Sequence, residues 1–122
     1  LKEFGCDVTV SCRRKSESAW CRVYGYDFLA IGQLCNGIGR YDVIFNTVPA
    51  RIFEADVLSK MQESILLIDL SSPPGGIDFA AAKQAGVRAV WALSLPGRYA
   101  PEDAGRIIGE TLLELFEREG IT

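Results

Sequence analysis

Histidine is absent from the sequence, and its absence excludes two kinds of catalytic site. Ser-His-Asp and Cys-His catalysis both use histidine as the proton carrier, so neither operates within this chain. The cysteines, Cys6, Cys12, Cys21 and Cys35, form no C-x-x-C pair, and there is no histidine to complete a zinc site. We therefore expect reduced thiols, no bound metal and a cytoplasmic location.

An excess of basic charge is also missing. With 13 lysines and arginines against 16 acidic residues, the formal net charge is −3, which favours neither nucleic acid nor a membrane as a partner. No apolar run approaches the ~20 residues of a membrane helix. The chain does have 48% hydrophobic residues in a length of 122, enough for the core of one domain. One basic cluster stands out, formed by Arg13, Arg14 and Lys15.

The hydrophobic pattern alternates between strands and helices. Three continuous apolar runs are typical of strands buried in a parallel sheet, and a β-branched run and a short run add two more. The five predicted strands are residues 6–11, 27–30, 42–46, 65–70 and 88–93. Predicted helices cover residues 16–24 (capped by Ser16), 54–62, 79–85 (capped by Asp78) and 101–120, with a short turn near 33–36. This order predicts an α/β fold, a Rossmann-like, mainly parallel sheet with flanking helices.

The start of the chain suggests that one part of this fold is missing. Residues 1–5 resemble the last turn of a helix with a glycine stop, and residues 6–11 are typical of the second strand of a dinucleotide-binding fold. Gly37 and Gly39 precede a strand instead of following one, so they predict a turn and not a phosphate loop. We therefore expect residues 1–122 to be a single, N-terminally truncated dinucleotide-binding domain that lacks the first strand and the glycine-rich loop.

In the usual strand order 3-2-1-4-5-6, the missing strand would lie between residues 6–11 and 42–46. We expect the resulting gap to close in one of three ways: by direct pairing of the two strands, by pairing with a second copy, or by a strand from another polypeptide. Because open strand edges recruit other strands, self-association is the expected outcome in isolation.

Ligands of such sheets bind outside the carboxyl ends of the strands, so the residues there are the candidate site. At the first end, no carboxylate is present to bind the ribose 2′-hydroxyl of NAD, whereas basic residues follow the strand and suit the 2′-phosphate of NADP. The alternative is a solvated basic turn. The residues assigned to NADP here are Cys12, Arg13, Arg14 and Ser16.

Three further strand ends carry the remaining candidates. A proline ends the strand at residues 42–46, a Pro-Pro-Gly-Gly loop follows residues 65–70, and a Leu-Pro-Gly turn precedes the last helix. Asp69, at the end of a buried strand, is expected to hydrogen-bond to its own loop. Ordinary polar turns are the alternative at each place. The cofactor-binding candidates are Asn46, Thr47, Val48 and Pro49, then Leu70 and Ser71, then Leu95, Pro96 and Gly97.

The segments "CDVTVSCR", "NTVP" and "LLIDLSSPPGGIDFAAAKQAGVRAVWALSLPGRYAPEDAGRII", in this order and spacing, closely resemble the C-terminal half of the A-subunit family of dipicolinate synthase. The resemblance implies an NADP-linked oxidoreductase of spore-forming bacteria. Such a protein acts with a flavoprotein-like B-type partner of dipicolinate synthase to convert a dihydrodipicolinate-type dicarboxylate to dipicolinate. It implies that Arg13 and its neighbours hold the 2′-phosphate, that residues 46–49 line the ribose and nicotinamide side, and that residues 95–97 close over the nicotinamide. Pro73 departs from the family loop, where an arginine is expected.

Two alternatives stay open. One is another Rossmann dehydrogenase of the 2-hydroxyacid or shikimate type, although such enzymes usually need a catalytic His or Lys and this chain has no His. The other is a non-catalytic fragment that acts in the assembly of the enzyme. No catalytic residue is assigned by the sequence, and we expect the substrate pocket to lie outside these residues, leaving the chain inactive by itself.

Overall fold

The computed structural model describes residues 1–120, and all of its strand pairs are parallel. Each of the five predicted strands is present, within a few residues of its predicted bounds. They form a two-stranded sheet of order β1-β2 and a three-stranded sheet of order β3-β4-β5. The strands are β1 (Thr9–Cys12), β2 (Asp27–Ala30), β3 (Val43–Asn46), β4 (Leu66–Asp69) and β5 (Arg88–Trp91).

Six α-helices connect and flank these strands. They are α1 (Lys15–Val23), α2 (Leu34–Gly37), α3 (Ala55–Leu58), α4 (Phe79–Gln84), α5 (Leu95–Tyr99) and α6 (Pro101–Arg118). Asp78 caps α4 as predicted, its carboxylate accepting a hydrogen bond of 2.9 Å from the amide of Ala81. The predicted cap of α1 is wrong: the helix begins at Lys15, so Ser16 lies inside its first turn. The predicted helix at residues 54–62 ends at Leu58, where tighter turns take over.

The hydrophobic core lies on one face of the three-stranded sheet, beneath α3 and α4. Leu58, Ile65 and Leu67 are fully buried there, and Ile77 and Ile38 nearly so. The other face is more open than the continuous apolar strands predict, since Val43, Phe45 and Val90 are exposed. Within residues 1–120, burial on both faces is therefore wrong for β3 and β5.

The two sheets meet at the position where the sequence predicts a gap. β1 and β3 belong to different sheets, so direct pairing across the gap, one of the three expected outcomes, is not what the structure shows. Both strands have one edge without a strand partner in the described part of the chain. Pairing with a second copy or with another polypeptide stays a prediction.

The last helix, α6, confirms the prediction of a long amphipathic helix, but no residue of it is buried. Its apolar stripe is largely open to solvent, with Ile107 and Ile108 more than half exposed. No helix in residues 1–120 combines the length and apolar character that crossing a bilayer requires. The stripe consists of Ala104, Ile107, Ile108, Leu112, Leu115 and Phe116.

Candidate functional site

A buried hydrogen-bond network joins the carboxyl ends of β3 and β4. Asp69, fully buried, accepts hydrogen bonds at Oδ1 from the side-chain amide of Asn46 (2.9 Å) and from the backbone amide and hydroxyl of Ser71 (3.0 and 2.6 Å). Its Oδ2 accepts a further bond of 2.8 Å from the amide of Gly76. The indole of Trp91, at the end of β5, donates to the carbonyl of Ser71 at 3.0 Å. The network therefore links all three strand ends of this sheet, and it confirms the prediction that Asp69 bonds to its own loop.

Gly76 is the closest point of contact within this network. A Cβ added there would overlap the side-chain amide of Asn46 and lie 2.8 Å from the carbonyl oxygen of Val48. The carbonyl of Gly76 also accepts from the amides of Ile52 and Phe53, at 3.1 and 3.0 Å. The loop after β4 is thus fixed against the connection that follows β3, and only glycine fits at the crossing.

The charge of Asp69 is maintained by its donors. Burial alone would raise the pKa of this carboxyl, but the hydrogen bonds from Ser71, Gly76 and Asn46 outweigh that effect and hold the pKa below its ordinary value. Every buried side-chain nitrogen and oxygen in the described residues has a hydrogen-bond partner. A ligand at this edge must therefore be bound by groups outside the network.

The network divides the predicted site residues into two groups. Asn46 and Ser71 are buried, and the amide of Asn46 is used by Asp69, Ser71 and Val48, so both side chains are directed into the protein. Their structural part is to hold the two loops together. The exposed residues of these loops, which a ligand can reach, are Thr47, Val48, Pro49 and Leu70.

The end of β5 leads into a separate feature. Ser94 has a left-handed backbone (φ 56°), which is uncommon for a residue other than glycine, and it turns the chain into the short helix α5. Leu95 is half-buried there, while Pro96 and Gly97 are exposed. These three predicted residues lie at the expected edge of the sheet but outside the Asp69 network.

At the end of β1, a carboxylate occupies a position that the sequence assigns to an anion. The Glu17 side chain accepts a hydrogen bond of 3.0 Å from the backbone amide of Arg14, and this bond is the main cause that lowers the pKa of Glu17. Arg13, Arg14 and Ser16 are exposed, and Cys12 is half-buried. Glu17 thus competes with a phosphate for the start of α1, which leaves the arginine side chains as the anion-binding groups.

A groove of about 300 Å³ opens between the two sheets, at the carboxyl ends of β1, β2 and β3. Arg13 lies at one wall and Arg51, from the connection after β3, at the other. Apolar side chains, including Ile31 and Ile52, line the space between them. The groove lies at the crevice where open α/β sheets bind ligands. A second groove of about 250 Å³, lined by Lys2 and Tyr26, lies at the opposite ends of β1 and β2.

The thiols are free and differ in their environments. Cys6 is exposed, Cys21 is buried, and Cys12 is half-buried next to Glu17. Burial and the neighbouring Glu17 carboxylate raise the pKa of the Cys12 thiol to about 11. Within residues 1–120, no three cysteine and carboxylate side chains are grouped as metal ligands.

These environments predict an order of thiol reactivity. At pH 8 we expect Cys6 to react with a chromogenic disulfide reagent at least about tenfold faster than Cys12 and Cys21, because only the accessible thiolate attacks. In denaturant, all four thiols should titrate. Removing Cys6 with Cys6→Ser should abolish the fast phase, and a fast phase that persists in this variant would contradict the assignment.

The fold defines the class of the protein: a Rossmann-like α/β protein with parallel sheets and flanking helices. The chain belongs to the A-subunit family of dipicolinate synthase. It is homologous to the family member of Bacillus subtilis (strain 168), with 35% identity over 112 residues, and the match covers 92% of this chain and 38% of the relative. The chain thus spans about two fifths of that relative's length, and the predicted resemblance is confirmed. A comparison with protein-family profiles finds no match.

Two crystal structures show the same similarity. The structure of the dipicolinate synthase A-subunit from Bacillus halodurans is 35% identical with a TM-score of 0.87, over 93% of this chain and 39% of that one. The corresponding dipicolinate synthase structure from Bacillus subtilis is 33% identical with a TM-score of 0.89, over 96% of this chain and 39% of that one.

Three residues of this edge were not among the sequence candidates. Glu17 follows Arg14 at the spacing of a capping box, but arginine is not a usual cap, so the pattern gave no signal. Arg51 and Ile31 lie in irregular connections, and only the folded sheets bring them to the same groove as Arg13.

Proposed function

We propose that this chain is the cofactor-binding part of an NADP-dependent oxidoreductase of the dipicolinate synthase type. The observation that carries the proposal is the groove at the carboxyl ends of β1–β3, with Arg13 at its wall, in a chain of the dipicolinate synthase family. Dinucleotides bind Rossmann-like sheets at this edge, and an arginine there favours the 2′-phosphate of NADP over the free hydroxyl of NAD.

The residues of the groove fit one half of such a cofactor. Its volume of about 300 Å³ is at the lower end of small-molecule sites, so it suits a nucleoside with its phosphate and not a whole dinucleotide. Gly32, after β2, has nothing within 4 Å of the position of an added Cβ, so the groove is open there. The other half would extend toward the exposed residues 47–49 and 95–97.

When bound, the cofactor accepts or gives up a hydride; oxidation of a dihydrodipicolinate-type dicarboxylate would pass a hydride to NADP⁺ and release a proton. The role of these residues is to bind and orient the cofactor. We further propose that the protein is cytoplasmic, that it acts during sporulation, and that it assembles with the flavoprotein-like B-type partner of dipicolinate synthase. The substrate-binding and catalytic groups are proposed to come from outside these residues.

Cofactor preference tests this proposal. Arg13→Ala should weaken NADPH binding by about 1.5–3 kcal/mol, the range of a charge-assisted hydrogen bond, and leave NADH binding nearly unchanged. The measurement is a calorimetric titration of each cofactor. Arg88→Ala, which removes the same charge from the exposed first residue of β5, is the matched control and should change neither affinity. Equal losses for NADPH and NADH would show that Arg13 does not contact the 2′-phosphate.

The same titrations separate the alternatives. Tighter binding of NADH than of NADPH would favour a dehydrogenase of the 2-hydroxyacid or shikimate type. Binding of neither cofactor would favour a non-catalytic role in assembly, for which the exposed stripe of α6 offers a surface.

A further inference from the structure

We propose that Arg51 is a second phosphate-binding residue, which shares the 2′-phosphate with Arg13 across the groove between the two sheets. The inference rests on the proposed function and deepens it: it assigns the groove to an adenosine 2′-phosphate group and makes Arg51 a determinant of cofactor specificity.

The two arginines come from different sheets. Arg13 directly follows β1, whereas Arg51 belongs to the connection between β3 and α3, and both line the same groove. Two guanidinium groups that face a shared space repel each other unless an anion lies between them. The apolar side chains between them, such as Ile31 and Ile52, suit the flat face of a base. The groove therefore combines cationic walls with an apolar floor, as a nucleoside phosphate requires.

Arg51 is already held in place. Its Nη1 donates a hydrogen bond of 3.2 Å to the carbonyl of Ile77 and lies 3.7 Å from the carboxylate of Asp78. A guanidinium has five N–H donors, so most of them remain available to a ligand. The side chain of Arg51 is half exposed, which keeps these donors within reach of the groove. Less side-chain entropy is lost when a donor is pre-positioned in this way.

The usual additional anion-binding group at this place is not available. The amide of Arg14, at the start of α1, already donates to the Glu17 carboxylate. A phosphate next to Arg13 must therefore find its second contact elsewhere. In residues 1–120, Arg13 has no ion-pair partner, and Arg51 is the other arginine of the groove.

The test compares adenosine 2′-monophosphate with adenosine 5′-monophosphate in equilibrium titrations of the chain. The unmodified chain should bind the 2′-phosphate isomer more tightly. We expect Arg51→Ala and Arg13→Ala each to weaken binding of the 2′-isomer about tenfold or more, and the double variant to lose less than the product of the two, since both contact one phosphate. Arg51→Lys should restore only part of the affinity, because lysine lacks the planar fork.

Two controls keep the outcomes separate. Gly32→Val, at a position with ordinary backbone and open space, should fill the groove and weaken both isomers without removing a charge. Arg88→Ala should have no effect, and the circular dichroism of each variant should match that of the unmodified chain. A loss with Arg13→Ala but none with Arg51→Ala overturns the role of Arg51 and leaves NADP binding intact. Failure of NADPH and of both isomers to bind overturns the proposed function as well.

Discussion

Gly76→Ala is expected to lower the free energy of unfolding by about 3–5 kcal/mol, because it combines overpacking with the loss of buried hydrogen bonds. The added methyl group would overlap the amide of Asn46 and press on the carbonyl of Val48, both of which belong to the network around Asp69. Relief requires the loop after β4 to move away from the connection after β3. That movement also breaks the bonds from Ile52 and Phe53 to the Gly76 carbonyl.

Urea denaturation followed by tryptophan fluorescence measures this change, since Trp91 bonds to the same loop. Gly105→Ala is the matched control: Gly105 lies in the exposed helix α6 with open space around it, so alanine should leave stability unchanged or raise it by about 0.5–1 kcal/mol. A loss of less than about 1 kcal/mol for Gly76→Ala, on the order of a single ordinary hydrogen bond, would show that the loop yields at little cost.

The second large effect concerns Asp69. Asp69→Asn keeps the shape of the side chain but turns one acceptor oxygen into a donor, which must then face the amide of Gly76 or the donors on Oδ1. An unmatched buried donor costs about 1–3 kcal/mol, and bonds to a charged acceptor are the stronger ones, so we expect a loss of about 2–4 kcal/mol at pH 7.

The pH dependence of this loss identifies the charge as its cause. Because the folded-state pKa of Asp69 is lowered below its ordinary 3.8, the carboxylate stabilises the fold above about pH 4, and this contribution is lost as the pH falls through the folded-state pKa. The gap in unfolding free energy between the unmodified chain and Asp69→Asn should thus be constant from pH 5 to 7 and shrink below about pH 4. An equal gap at pH 3 and pH 7 would assign the effect to shape alone.

The strands could be predicted from the sequence because their signal is local. The runs at residues 42–46 and 65–70 are apolar over the length of a strand, and a glycine or proline ends each connection. The position of Asp69 at a strand end was enough to predict that it bonds to its own loop. Its partner Asn46 was predicted instead to face a ligand, because the pairing of β3 with β4, which brings the two side chains together, is not written in either segment.

The groove shows the complementary limit. Arg13 was recognisable from its place after a strand, but Arg51 lies 38 positions later in a connection without a motif, and only the relative position of the two sheets makes them neighbours. The capping by Glu17 was missed because it replaces a side-chain cap that the sequence assigned to Ser16.

The open edges of β1 and β3 and the uncovered stripe of α6 also determine how the chain behaves in solution. A compact monomer of 13.4 kDa exposes about 6,500 Å² by the usual scaling, whereas this chain exposes 8988 Å². Anything that covers the surplus in the folded state, and not in the unfolded state, stabilises the fold by mass action. The midpoint of thermal unfolding is therefore a property of the chain together with its concentration and its neighbours, and it should be compared between variants only at matched concentration.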